Sequence, residues 1–443
     1  MSDAIFKPNA KLRTSAGREC VVEEYLGSGG EGEVYRVRVD GKPLALKWYY
    51  PDTARPERLK SLRDLARSGA PDERFLWPRD VIEERGLFGY VMPLRPAEYQ
   101  NFNGYLRRKY TLGYSGAANA ALQLADSFRK LHIKGFSYQD ISGGNIFLNP
   151  RDGSILICDN DNVAPHGSAT GNIQGTPKFM APEIVRGEQR PDVYTDRYSL
   201  AVLLFEILFI GHPLEGQKWA DIRCLDDPAM KKLYGSEPVF IYDPVNAGNR
   251  PVPGLQNNPI LFWAMYPRYI QECFIKSFTL GLSDRENGRL IEDEWLDAFR
   301  KLRESIVYCQ NCGREVMYDI GLLQSGVPMQ CWGKNCGQTV RLPPRLRIGT
   351  GKRERIVMLN ASAKLYAYQL KPMQDLATGD EIVGEVAQNP NDPSVWGLRN
   401  LSSENWHYAS EQGESKDVPP GRSVSLVSGL RIRFNSAAEG EIK

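Results

Sequence analysis

Between Cys20 and Tyr50, apolar and polar residues alternate in three runs, VVEEYL, EVYRVRV and LALKWYY, with the period of half-buried strands. A glycine-rich stretch separates the first two runs and Asp40-Gly41 the second pair, so the three predict a small antiparallel sheet. Residues 55–67, RPERLKSLRDLAR, place Leu59, Leu62 and Ala66 on one helical face with Leu65 at its margin, and VIEERGLFGYVMPL then predicts another hairpin ending near Leu94. Beyond it the period becomes helical over Ala117 to His132, Thr195 to Ile210, Pro267 to Thr279 and Ile291 to Val307. After Pro343-Pro344, a predicted linker over 343–349, short alternating segments return: RIVMLN, KLYAYQL, EIVGEVAQ, SVSLV and LRIRF. They predict a small all-β domain over 350–443 and make the chain multidomain α+β, with no repeat of solenoid or propeller period.

The 443 residues fit about three structural units. With 42% hydrophobic and 25% charged residues, most of the chain should fold, and a net charge of +2 gives no global signature for nucleic acid or an anionic membrane. The longest apolar stretch, Leu200 to Ile210, is interrupted by Glu206 and falls short of the roughly 20 residues that span a bilayer, so no membrane contact is expected. MSDAIFKPNAK lacks the apolar run of a secretory signal, and a cytoplasmic location is expected. Four of the eight cysteines crowd between Cys309 and Cys336, which suggests a metal, whereas Cys20, Cys158, Cys224 and Cys273 read as small buried side chains.

Gly27-Ser28-Gly29-Gly30-Glu31-Gly32-Glu33-Val34 lies between two predicted strands, where residues without side chains let backbone N–H groups approach polyphosphate oxygens. A glycine-rich hairpin would explain it equally well, except that Ala45-Leu46-Lys47 follows on the next strand. Together these residues resemble a protein kinase, and the resemblance recurs in the family's order along residues 20 to 305. It implies a bilobal kinase fold over 11–305, with one lobe over about 11–94 and the other over about 95–305, and ATP and Mg²⁺ as cofactors. Lys47 would neutralise the α- and β-phosphates over Gly27, Gly29 and Gly32. In Tyr138-Gln139-Asp140-Ile141-Ser142-Gly143-Gly144-Asn145, Asp140 would accept the substrate hydroxyl proton and Asn145 would ligate Mg²⁺. Cys158-Asp159-Asn160-Asp161 resembles the DFG element and gives Asp159 the main Mg²⁺ role. By the same resemblance Val34, Ala45 and Phe147 sandwich adenine, Met92 is the gatekeeper, and Pro93, Leu94 and Arg95 form the hinge. Gly175 to Glu183, GTPKFMAPE, resembles the end of an activation segment. There Glu183 would pair with Arg289, Asp196 would tie down the catalytic loop, and Thr176 implies a Ser/Thr acceptor.

The departures are specific. Tyr138-Gln139 replaces the His-Arg before the catalytic aspartate, so the arginine that receives an activation-loop phosphate is missing and Ser168 and Thr170 should be dispensable (a non-RD kinase). Ser142 replaces a lysine that would contact the γ-phosphate. Asp161 replaces the DFG glycine and is given no essential role. The helix carboxylate that should pair with Lys47 is Glu57 or Asp64, with Glu57 favoured as the only glutamate on the predicted helix.

Cys309-Gln310-Asn311-Cys312 and the pair Cys331 and Cys336 make two knuckles able to close one tetrahedral Zn²⁺ site, and resemble a zinc ribbon over 306–342. Arg341, Arg345, Arg347, Lys352, Arg353 and Arg355 form a basic run without interleaved aromatics, which argues for a solvated or docking segment rather than nucleic acid. Trp396-Gly397-Leu398-Arg399-Asn400-Leu401-Ser402, then Pro420-Gly421-Arg422 and LRIRF, resemble the second half of a forkhead-associated (FHA) β-sandwich, although its Gly-Arg and Ser-x-x-His phosphothreonine readers have no counterpart; an ordinary β-sandwich fits as well. The order of parts resembles bacterial kinases of tellurite-resistance and stress gene clusters. That resemblance implies protein substrates and, as partners, a von Willebrand A-domain protein and a metal-dependent phosphatase. The expected function is Ser/Thr protein kinase; the alternative is an ATP-binding pseudokinase that recruits partners through its ribbon and β tail.

Overall fold

Alternation along the first hundred residues closes into a six-stranded antiparallel sheet. Its strands are β1 (Lys11–Arg13), β2 (Glu19–Ser28), β3 (Gly32–Val39), β4 (Lys42–Tyr49), β5 (Asp80–Glu84) and β6 (Leu87–Pro93), in the order β1-β2-β3-β4-β6-β5. The computed structural model describes residues 4–168, 175–319, 325–349, 354–361, 363–370, 381–409 and 415–443. Helix α1 (Pro56–Ser68) starts with proline in its first turn, where the missing N–H costs nothing, and buries Leu62 and Leu65. Its end is fixed by the Trp77 indole, which donates to the Leu65 carbonyl at 2.8 Å.

The helical lobe is built round the helix Val193–Phe209, which Asp192 caps in a box with Thr195 and which is buried on all sides. Against it lies Tyr114–Ile133, whose Ala117, Ala118, Ala120, Ala121 and Ala125 keep the helices close. Phe205, Phe209, Phe240, Trp263, Phe274 and Phe278 fill the space beyond in edge and stacked contacts. No helix among the described residues is long and apolar enough to cross a membrane.

Residues 1–299 and 300–443 form two compact units. In the second, the hairpin Ile306–Tyr308 with Glu315–Met317 opens a small cluster of Val307, Cys309, Val316, Met329, Cys331 and Val340. Two sheets follow. One runs Arg355–Met358, Arg345–Ile348, Glu439–Ile442, Arg431–Arg433, Trp406–Ala409, Ser415–Val418. The other runs Lys364–Tyr366, Ile382–Asn389, Asp392–Asn400, Ser423–Ser425. Leu346, Leu398, Trp406, Ile432 and Ile442 are buried in their shared core.

Three expectations need correction. The expected linker 343–349 contains the strand Arg345–Ile348, paired with Arg355–Met358 and Glu439–Ile442, so the sandwich begins before residue 350: Leu346 and Ile348 point inward, and the basic reading of the run hid that alternation. Residues 300–305, expected with the kinase lobe, belong to the second unit, because buried Glu304 accepts from Arg355 (2.8 Å), Tyr368 (2.8 Å) and Gln369 (2.9 Å). KLYAYQL is a strand only to Tyr366, where the Gln369 side chain takes the Tyr366 N–H at 2.7 Å and the chain turns into a 3₁₀ helix. In the basic run, Arg355 is consumed by Glu304 and Arg347 pairs with Glu354, while Lys352 and Arg353 lie outside the described residues.

Candidate active site and metal centre

The glycine-rich turn between β2 and β3 is set by how closely its strands approach β4. A Cβ on Gly32 would stand 2.0 Å from the Trp48 carbonyl oxygen, so only glycine fits there. Beside it on β4, Lys47 pairs across the sheet with Val34 and Tyr90 and is almost wholly buried. Its Nζ reaches three carboxylates: Asp161 Oδ2 at 3.0 Å, Glu31 Oε2 at 3.1 Å and Asp159 Oδ1 at 3.3 Å. Neither Glu57 nor Asp64 is among them. Both face solvent on α1, where Asp64 pairs with Arg67, and the neighbouring Arg58 turns inward to bond Glu31 at 2.7 Å and to cover the Tyr49 ring.

Asp161, given no essential role by the sequence, is completely buried; its Oδ2 accepts from Lys47 and from the Tyr49 hydroxyl. Burial alone would raise its carboxyl, but Lys47 beside it and the Tyr49 hydroxyl hold it below the ordinary range. Asp159 is driven up by burial and by Asp161, against the pull of Lys47.

The loop Tyr138 to Asn145 hangs on Asp196, at the start of the central helix. Its carboxylate accepts from the Tyr138 N–H at 2.6 Å and the Gln139 N–H at 3.0 Å and meets His132 Nε2 at 3.1 Å. Those bonds hold Gln139 at φ +72°, a left-handed conformation costly for a residue with a side chain. His132 also bonds Glu292 at 2.9 Å; burial opposes its charge, yet the two carboxylates raise it to about 9, so it is an imidazolium. The Tyr138 hydroxyl crosses to the Cys158 carbonyl and ties this loop to the segment carrying Asp159.

Asn145 donates from Nδ2 to the Asp140 carbonyl at 3.0 Å, which leaves its amide oxygen as an acceptor for a cation, and the Cys158 N–H bonds the Asn145 carbonyl at 2.9 Å. Asp159 sits at φ +53°, with its side chain partly exposed. Burial first, then the charge of Asp159, raises the Asp140 carboxyl to about 6. Gly175 lies against Asp140, with Thr176 exposed beside it; Thr170 is outside the described residues. Ala45 and Met92 belong to one apolar cluster, against which Val34, Leu94, Leu156 and Cys158 pack, and Arg95 lies 4.4 Å over the Phe147 ring. Glu183 is clamped by both Arg289 Nη atoms at 2.7 and 2.8 Å.

This geometry has a counterpart among known proteins: residues 20–237 match the protein kinase domain family. Similar proteins include Protein kinase YegI of Escherichia coli (strain K12), 26% identical over 327 residues, or 68% of this chain and 48% of that protein. The DNA damage-responsive serine/threonine-protein kinase RqkA of Deinococcus radiodurans is 28% identical, over 43% of this chain and 30% of its own. Serine/threonine-protein kinase PkaA of Streptomyces coelicolor is 27% identical, over 45% and 40%. The chain thus spans less than half the length of each of these relatives. The domain match and these relatives are all of the protein kinase kind. Tyr49, Tyr138 and His132 bond Asp161, the Cys158 carbonyl and Asp196, contacts that sequence reasoning missed, although β4 alternation places Tyr49 on the face of Lys47.

The second unit gathers Cys309, Cys312, Cys331 and Cys336, whose Sγ atoms all lie within 4.8 Å of one another. The pairs Cys309–Cys336 and Cys312–Cys331 are 3.6 and 3.5 Å apart. A tetrahedral ion with Zn–S near 2.3 Å separates its sulfurs by about 3.8 Å, so the four thiols fit Zn²⁺. The Gly333 N–H and the Asn311 amide point at Cys331 and Cys336 Sγ, each at 3.4 Å, as donors to thiolate sulfur do.

Proposed function

We propose that this chain is an ATP-dependent protein serine/threonine kinase whose kinase domain is followed by a zinc ribbon and an FHA-like β-sandwich. The reading is carried by one meeting of side chains: Lys47 from β4 stands 3.3 Å from Asp159, on the segment that also binds Asn145 beside Asp140. Magnesium-bound ATP supplies the γ-phosphoryl group and cationic charge to offset its oxygens. Lys47 binds phosphate oxygens beneath the N–H groups of Gly27 to Gly32, and Asn145 and Asp159 hold the metal. Val34, Ala45, Met92, Leu94, Arg95 and Phe147 surround the adenine. Asp140 orients the acceptor hydroxyl and takes its proton. The exposed Thr176 beside Gly175 and Asp140 supports a Ser/Thr acceptor.

Gln139 in the place of a phosphate-receiving arginine supports the non-RD type. A role in stress signalling is supported by the resemblance to kinases of tellurite-resistance clusters and by the Deinococcus relative that is named DNA damage-responsive. A von Willebrand A-domain protein and a metal-dependent phosphatase are the proposed partners. The thiol geometry supports a closed, structural Zn²⁺ site.

The test is to incubate the full chain with labelled ATP, Mg²⁺ and a generic acceptor protein. Label should enter the acceptor, and Asp140→Asn should lower the rate at least about a hundredfold while ATP binding persists. Binding without transfer by the unaltered chain would leave a nucleotide-binding scaffold, and no binding would end both readings.

A further inference from the structure

Lys47 reaches three carboxylates, and they differ in what surrounds them. Glu31 is partly exposed, 38%, sits on the glycine-rich turn and is shared with Arg58. Asp159, 45% exposed, is the residue that would be drawn to a cation. Asp161 is 0% exposed, belongs to the 3₁₀ turn Asn160–Asn162 and is braced from behind by the Tyr49 hydroxyl, two residues along from Lys47 on the same face of β4. A buried lysine needs a buried counter-charge, since an unpaired one costs several kcal/mol. Among the described residues Asp161 is the carboxylate that meets this need without also serving a loop or a metal.

We propose that Asp161, braced by Tyr49, is the positioning residue that holds Lys47 against the nucleotide phosphates. Helix α1 gives no carboxylate to this contact; it contributes Arg58, which covers the Tyr49 ring with the guanidinium 4.9 Å from the ring centre. The lysine is thus set by the Cys158–Asn162 segment, joined in turn to the catalytic loop through Tyr138 and Cys158. This rests on the nucleotide-binding part of the function proposed above, and ATP binding is therefore measured apart from phosphoryl transfer.

The test titrates the full chain with a fluorescent ATP analogue, with and without Mg²⁺, as wild type, Asp161→Asn, Lys47→Met, the double variant and Tyr49→Phe. Asp161→Asn should weaken binding about tenfold, should add little further loss in the Lys47→Met background, and should leave the Mg²⁺ requirement unchanged. Tyr49→Phe should weaken it about threefold in the same Lys47-dependent way, and it decides the matter if Asp161→Asn does not fold. Binding by Asp161→Asn equal to wild type, an equal further loss without Lys47, or an altered Mg²⁺ requirement would each overturn the proposal. If the wild type binds the analogue but transfers no phosphate, the kinase reading fails, while this one is still judged by the binding series.

Discussion

His132, in the last turn of its helix, has both ring nitrogens bonded to carboxylates, so the anchorage of the loop that Asp196 holds depends on pH in a definite direction. Its folded value of about 9 lies above the ordinary 6.5, so it contributes stability in full below pH 6.5 and loses it as pH rises through 9. Glu292, held to about 2 against 4.5 chiefly by His132 and Arg197 despite burial, contributes above 4.5 and loses its share as pH falls through 2. The rise of His132 and the fall of Glu292 largely describe one interaction. Denaturant unfolding should therefore show wild type exceeding His132→Gln by most between pH 4.5 and 6.5, with the gap closing by pH 10; a constant gap would mean an uncharged ring. Lys47, Asp140, Asn145 and Asp159 could be singled out by their order and spacing, and the fold brings Lys47 to Asp159 and Asn145 to Asp140. Asp161 was not, because a carboxylate two places from a metal ligand reads as solvated until its burial is seen. Glu57 misled because one step along a helix turns a side chain by about 100°, which put Arg58 rather than Glu57 inward.

The strands and long helices followed their periodicity closely: the expected helix at 55–67 is Pro56–Ser68, and that at 195–210 is Val193–Phe209. Errors arose where a long-range partner decided. Arg345–Ile348 is a strand because the distant Glu439–Ile442 pairs with it opposite its hairpin partner Arg355–Met358, and KLYAYQL bends because Gln369 and Glu304 take its polar groups. On the zinc reading the segment round the four cysteines would depend on the ion more than on either cause, for its apolar cluster is small and structural zinc contributes roughly 10 kcal/mol or more to such folds. Metal analysis of the full chain should give one zinc per molecule, lost in Cys309→Ser with Cys312→Ser. Chelation should lower the unfolding temperature of residues 300–443 and leave nucleotide binding within about twofold, since the two lie in separate compact units. Zinc retained in the double variant would exclude this centre.

Taken as a whole, the first unit fixes its candidate site residues from within. The left-handed turn at Gln139 is fixed by Asp196, and the lysine of β4 by Asp161; neither contact uses a group added after synthesis. On the kinase reading, label should therefore enter an acceptor without a lag, and prior treatment with a phosphatase should change the initial rate by less than about twofold. A long lag, or a tenfold loss after that treatment, would show that a phosphate completes the site after all. The Asp196 carboxylate, which takes two backbone N–H groups of that turn, thus acts as a rivet. On the kinase reading, a loop riveted in this way would need no arming step at Gln139, so output would follow the number of copies made and the targets brought within reach, as the brightness of a lamp without a switch follows the current supplied to it.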